Sequence, residues 1–208
     1  MSDFSDFITI IKDWVNRQDW SDTLVTGFIR DAEAVFNQDL RVDRMIQFDE
    51  ALITSRCAPL PDDWLKMELV RIPDDSFPDG YRPIRYRPRD DFFNSTDQYA
   101  CHTYTIQGRQ IWIGGTPNST EGKVVKITYY GEVPVFADDQ DSWVYTKHPA
   151  LYRYAALANA DLYAVGEEQK ALGLKQLVDD MIQKLNNDHL LSRASGSRLT
   201  RMQTRSFG

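Results

Sequence analysis

The chain has 208 residues, enough for one large domain or a core with an embellishment, and 42% hydrophobic and 26% charged residues are ordinary values for a folded soluble protein. No apolar run approaches the ~20 residues that span a bilayer, and the start, MSDFSDFITIIKDW, carries acids where a signal peptide carries basic residues. A formal net charge of −7 argues against a dedicated nucleic-acid binder, and Cys57 and Cys101 read as free thiols of a reducing compartment.

A first helix is expected over 3–17, where Phe4, Phe7, Ile8, Ile11, Trp14 and Val15 form a helical stripe. Ser21 or Asp22 then caps a second helix over 22–41, with Leu24, Phe28, Ile29, Ala32, Val35, Phe36 and Leu40 turned inward. From 45 to 133 the period changes to that of strands. Met45 to Thr54 and Leu65 to Ile72 alternate, and PDDSFPDG is a loop. YRPIRYRPRDDFFN is extended at its start, because Pro83 and Pro88 bias their predecessors away from helix. Tyr99 to Ile106, a turn at Gln107-Gly108 and Arg109 to Ile113 make a hairpin, and Lys123 to Val133 is a further strand. Helices return over 147–165 and 167–193. Thr146 and Pro149 suit the start of the first, Gly166 breaks the pair, and Leu174, Leu177, Val178, Met181, Ile182 and Leu185 mark the second.

The expected fold class is therefore α+β: a helical bundle of two N-terminal and two C-terminal helices with an inserted small antiparallel sheet of about five strands. Residues 1–194 form the domain, and 195–208 follow as an extended, flexible tail. Charge sets that tail apart. After Asp188 there are four arginines (Arg193, Arg198, Arg201 and Arg205) and no acid, so the end is +4 and leaves −11 for the rest of the −7 chain.

Residues capable of chemistry form no recognisable site. His102, His148 and His189 lack metal-ligand spacing. Adjacent Cys101 and His102 point to opposite faces of a strand. Asp138 to Ser142 lacks the alternating ligands of a calcium loop, and GGTPNSTEGK misses the phosphate-loop pattern. No catalytic residue, metal or cofactor is expected. The stretch YRPIRYRPR is different. Arg85, Arg87 and Arg89 would share one face of an extended segment with Tyr86 between them, and Arg82 precedes them, so the row suits nucleic-acid or inter-subunit contact. Its competing role is to pair with the nearby aspartates.

Taken in order, several stretches resemble the head-to-tail adaptor (connector) proteins of short-tailed bacteriophages. TLVTGFIRDAEAVFNQDLRVDRMI resembles the family's early helix and LPDDWLKMELVRI its Leu-Pro-x-Asp-aromatic-Leu entry to a strand. YTIQGRQIWIGG is similar to its hairpin and VKITYYGEVP to its Tyr-Tyr strand. KHPALYRYAALANADLYAVGEEQKALGLKQLVDDMI resembles its helix pair. The resemblance covers roughly residues 20 to 190 and implies a structural virion protein of the neck, assembled in the host cytoplasm. Such a protein sits below the portal protein in a twelvefold homo-oligomeric ring, extends the channel through which double-stranded DNA passes, and meets tail nozzle or fibre proteins. In that setting the tail would dock on the portal through Arg193, Arg198, Leu199, Arg201, Met202, Arg205 and Phe207, arginines on carboxylates and apolar side chains in pockets. An acidic body suits a DNA conduit, since a negative lumen repels phosphates and lets the duplex slide. Two other classes compete. One is a nucleic-acid-binding module using the Arg82–Arg89 strand. The other is a hydrolase with a site among Asp90, Asp91 and His102, which no spacing supports.

Overall fold

The computed structural model describes residues 4–94, 102–114, 122–138, 140–164 and 168–203, with side chains as far as Arg193. In chain order the elements are α1 (Phe4–Val15), α2 (Asp22–Asp39), a 3-10 turn (Asp43–Met45), β1 (Ile46–Leu52), β2 (Cys57–Pro59), β3 (Trp64–Pro73), β4 (Tyr81–Tyr86), α3 (Arg89–Asn94), β5 (Thr103–Gln107), β6 (Gln110–Ile113), β7 (Val124–Gly131), α4 (Trp143–Lys147), α5 (Pro149–Tyr163) and α6 (Glu168–Gln203). They fall into two compact units. The helical unit is Met1–Arg44 with Val133–Gly208, and the sheet unit is Met45–Glu132.

In the helical unit each helix follows from an apolar stripe at three- and four-residue steps. α1 buries Phe4, Phe7, Ile8 and Ile11, and α2 buries Val25, Phe28, Ile29, Ala32 and Phe36. The Ser21 hydroxyl caps α2 by accepting from the Leu24 backbone N–H at 3.2 Å. Helix begins earlier at the C-terminal end than the sequence pattern places it. Trp143 to Lys147 already form α4, and His148, with φ −132° and ψ 56°, separates it from α5. Pro149 enforces that break, having no N–H to continue the ladder, and then serves as the first residue of α5. Thr146 is consequently inside α4, its hydroxyl donating to the Ser142 carbonyl. Leu151, Tyr152, Ala155, Ala156 and Ala158 bury α5, and Ala171, Val178 and Ile182 bury α6.

The sheet unit corrects the expectation of a small antiparallel sheet. One sheet holds seven strands in the order β1-β7-β3-β4-β5-β6-β2. Every neighbouring pair is antiparallel except β4 and β5, which run parallel through Arg85↔Thr103 and Tyr86↔Tyr104. A parallel pair needs a long crossover, and the connection containing α3 supplies it. The strongly alternating segments became β1, β3, β5, β6 and β7. β2, three residues long and stopped by Pro59, has too few residues to show a period. Registers such as Ala51↔Val125, Ile127↔Val70 and Val70↔Ile84 carry one apolar row across four strands into a core completed by Ile53, Ala58, Ile111 and Ile113.

The two outer strands of that order are sequence neighbours. Thr54 and Cys57 exchange both backbone hydrogen bonds (2.8 and 2.9 Å) around Ser55 and Arg56, whose φ values of 52° and 69° suit the tight primed turn of a hairpin. The sheet therefore curls until its first and last strands meet at this turn. At the far end Gly131 permits a close approach: a Cβ there would lie 2.6 Å from Asp63 Oδ2.

Candidate docking surfaces and the arginine strand

The arginine row divides once folded. β4 ends at Tyr86, and Arg89 opens α3, so Arg85, Arg87 and Arg89 do not continue as one strand face. Arg82 is committed within the unit. Its Nε lies 2.9 Å from Asp74 Oδ2, one terminal nitrogen donates to His102 Nε2 at 2.6 Å, and its guanidinium stands over the Phe77 ring. Asp74 also accepts from the Ser76 hydroxyl and backbone N–H (2.5 and 3.0 Å), and these bonds, with the Arg82 charge, hold its carboxyl below the ordinary aspartate range. Tyr86 is exposed and edge-on to Tyr104, while Arg87 donates its backbone N–H to the Tyr104 carbonyl at 2.8 Å. Arg85 and Arg89 are exposed side chains.

Asp90 and Asp91 sit exposed in the first turn of α3. Cys57 is a free, half-buried cysteine whose thiol is pushed up by burial, and Cys101 lies outside the described residues. So does Asp139 of the acidic 138–142 loop. Among the described residues no three His, Cys, Asp or Glu side chains gather as metal ligands. No described helix is long and apolar enough to cross a membrane.

At the C-terminal end, Arg193 is exposed on α6. Arg198, Leu199, Arg201 and Met202 fall on the stretch of α6 whose side chains are outside the described set, and Arg205 and Phe207 lie beyond the described residues. Contacts near the end of α2 help to hold α6. Asn186 donates to the Asp39 carbonyl at 2.8 Å and accepts from the Arg41 backbone N–H at 2.7 Å, and one turn on the His189 ring lies 3.1 Å from Asp43 Oδ1. The helix that carries the basic end is thus tied to the end of α2.

A second polar tie lies deeper. Glu33 is buried on α2, accepts from Arg30 (2.7 Å) and from the Phe136 backbone N–H (2.7 Å), and receives the Tyr152 hydroxyl of α5. Burial and this anionic neighbour push the Tyr152 phenol far above its ordinary range, so it stays a donor. Asp161, fully buried on α5, meets Lys170 of α6 at 3.2 Å. Sequence reasoning missed these residues, although the signal was available: Glu33, Asp161 and Asn186 each occupy a position on an apolar stripe.

Exposed apolar side chains remain on both units, led by Phe48 (75% exposed) and Leu52 on β1 and by Leu172, Leu190 and Leu191 on α6. A model of the SU10 adaptor protein family matches residues 2–204. No curated protein matches the chain. With an α+β architecture, exposed apolar surfaces and a match over nearly its whole length, this chain belongs to the SU10 adaptor protein family, a family of phage head-to-tail adaptors.

Proposed function

We propose that the protein is a structural head-to-tail adaptor that forms a twelvefold ring below the portal, extends the DNA channel and joins the capsid vertex to the tail nozzle or fibres. The family match over residues 2–204 carries this reading. Charge supports it as well. A body at −11 favours a sliding duplex over a held one, and a +4 end suits acidic surface on a portal. The segment 195–208, with Arg198, Leu199, Arg201, Met202, Arg205 and Phe207, is the portal-docking element, joined by Arg193 just before it. The last helix runs to Gln203, ten residues past the expected end at 193, so residues 195–203 would meet the portal as helix and not as an extended tail.

The test is co-sedimentation of the full chain with its portal ring, alongside the mass of the free protein. Joining the ring in about twelve copies is the expected result, and a chain lacking 195–208 should lose docking. A full-length protein that ignores the portal would overturn the assignment. The nucleic-acid reading is weaker, because Arg82 is occupied by Asp74 and His102 and the strand stops at Tyr86. It demands a duplex affinity that falls steeply with salt and disappears in Arg85→Glu/Arg87→Glu.

A further inference from the structure

We propose that Asn186 and His189 are positioning residues for the portal contact: together they fix the direction in which the basic end of α6 leaves the helical unit. The inference rests on the docking reading above. Length creates the need. α6 has 36 residues and α5, against which it packs, has 15, so at a rise of about 1.5 Å per residue they measure roughly 54 and 22 Å. Among the described residues His189 is the last buried side chain of α6, and Leu190, Leu191, Ser192 and Arg193 are all exposed. The helix nevertheless continues to Gln203, which makes an arm of about 21 Å. A change of about 10° in its exit angle carries the far end ~4 Å, more than a hydrogen bond tolerates.

The inward line of α6 changes character where the arm begins. Ala171, Leu174, Val178 and Ile182 follow at three- and four-residue steps, and the same line then runs through Asn186 and His189. Asn186 makes two bonds with one planar amide. Its Nδ2 donates to the Asp39 carbonyl at 2.8 Å, and its Oδ1 accepts from the Arg41 backbone N–H at 2.7 Å. Asp39 is the last residue of α2, so its carbonyl has no partner inside that helix. An amide held at both ends cannot pivot. Three residues on, the buried His189 ring places Nδ1 3.1 Å from Asp43 Oδ1. Two anchors on one face, a turn apart, set a direction that a single anchor does not.

The platform beneath these anchors is stiff. The Arg41 guanidinium donates to the carbonyls of Asn37, Gln38 and Leu40, closing the end of α2, and Leu40 is fully buried. Stability alone does not account for an amide and an imidazole on this line. Leucine at either place would favour helix more and bury more apolar surface. What leucine lacks is direction, since apolar packing leaves a helix free to tilt and a directional bond does not. An arm already aimed loses less freedom on docking. If only about a tenth of loosened arms point correctly, the apparent affinity falls about tenfold.

Spin labels at Thr23→Cys on α2 and Thr200→Cys on α6, in a Cys57→Ser/Cys101→Ser background of the full chain, read the direction of the arm as a distance distribution. One narrow distance is expected, and Asn187→Leu, an exposed position beside the line, should keep it. Asn186→Leu/His189→Leu should spread it to about twice the width or more, with an unchanged melting curve because both leucines keep the apolar contact. Without labels, the double variant should bind portal rings about tenfold more weakly than wild type, and Asn187→Leu equally well. A broad distance in the chain with both anchors intact would overturn the proposal. So would a double variant as narrow as that chain, or one with wild-type affinity for the portal. Should the double variant melt earlier, Asn186→Asp carries the same measurements, because it keeps the acceptor for Arg41 and loses the donor to Asp39. A narrow distance in a protein that ignores the portal would fail the docking reading and leave the fixed exit direction standing.

Discussion

The two units reach stability by different means. The helical unit is held by polar side chains reaching backbone groups far away in sequence: Glu33 to Phe136, Asn37 to Val133, Asn159 to Phe28 and Asn186 to Asp39 and Arg41. The sheet unit has such bonds at its surface, from Arg56 to the Ile113 carbonyl and from Arg109 to those of Pro61 and Asp62, but its core is Ile, Val, Ala, Leu and Tyr, with its geometry set by turns and register. The difference has a physical basis. Helices satisfy their own backbones and carry no register between neighbours, so directional bonds must fix how they dock. Strands acquire register from the ladder itself, and apolar filling suffices.

The sharpest way to break this comparison is to empty each interior of what it depends on. Ile127→Ala in the sheet core should cost about 3–4 kcal/mol by chemical denaturation, through lost burial and a residual cavity. Glu33→Ala in the helical unit should cost about 3 kcal/mol, because Arg30, the Tyr152 hydroxyl and the Phe136 N–H all lose their acceptor. If Glu33→Ala proves nearly neutral, the polar tie is not what fixes the helices. Gly131→Ala should cost about 1–3 kcal/mol, since the new methyl meets the Asp63 carboxylate that also accepts from Tyr129. The reverse sign is expected at the turn: Ser55→Asn/Arg56→Gly should raise stability by about 0.5–1 kcal/mol by relieving two positive φ values. The smallest effect is electrostatic. A depressed Asp74 pKa contributes stability above its unfolded value, near 3.8, that is lost as pH falls through the lower folded value. Ser76→Ala should therefore narrow the stability difference between pH 5 and pH 2, read from paired melts.

Much of the framework is legible because apolar periodicity marks element type, and in α1 and α2 it marks the buried face too, whereas in β1 the apolar Phe48 and Leu52 are exposed. α1, α2, β1, β3 and β7 all come from runs whose apolar spacing matches one element type. What escaped notice depended on distant partners. β2 is too short to alternate, and the parallel β4–β5 pair is decided by where the crossover lands. The Arg82 site is half legible: the sequence places many aspartates near the row, but Asp74 can be singled out only once β3 and β4 are adjacent. The clearest missed signal was polarity in the wrong place. Glu33, Asp161 and Asn186 interrupt apolar stripes, and each interruption marks a tie between helices.

The turn at Ser55 and Arg56 has a consequence for life in a crowded particle. Were the protein gathered in many copies at one vertex, as proposed above, it would risk polymerising strand upon strand, since every open sheet margin is a template for the next chain. By drawing its first and last strands together at Thr54 and Cys57, this sheet keeps both margins occupied at that end. If copies gather as proposed, that end of the sheet offers them side chains and not open backbone.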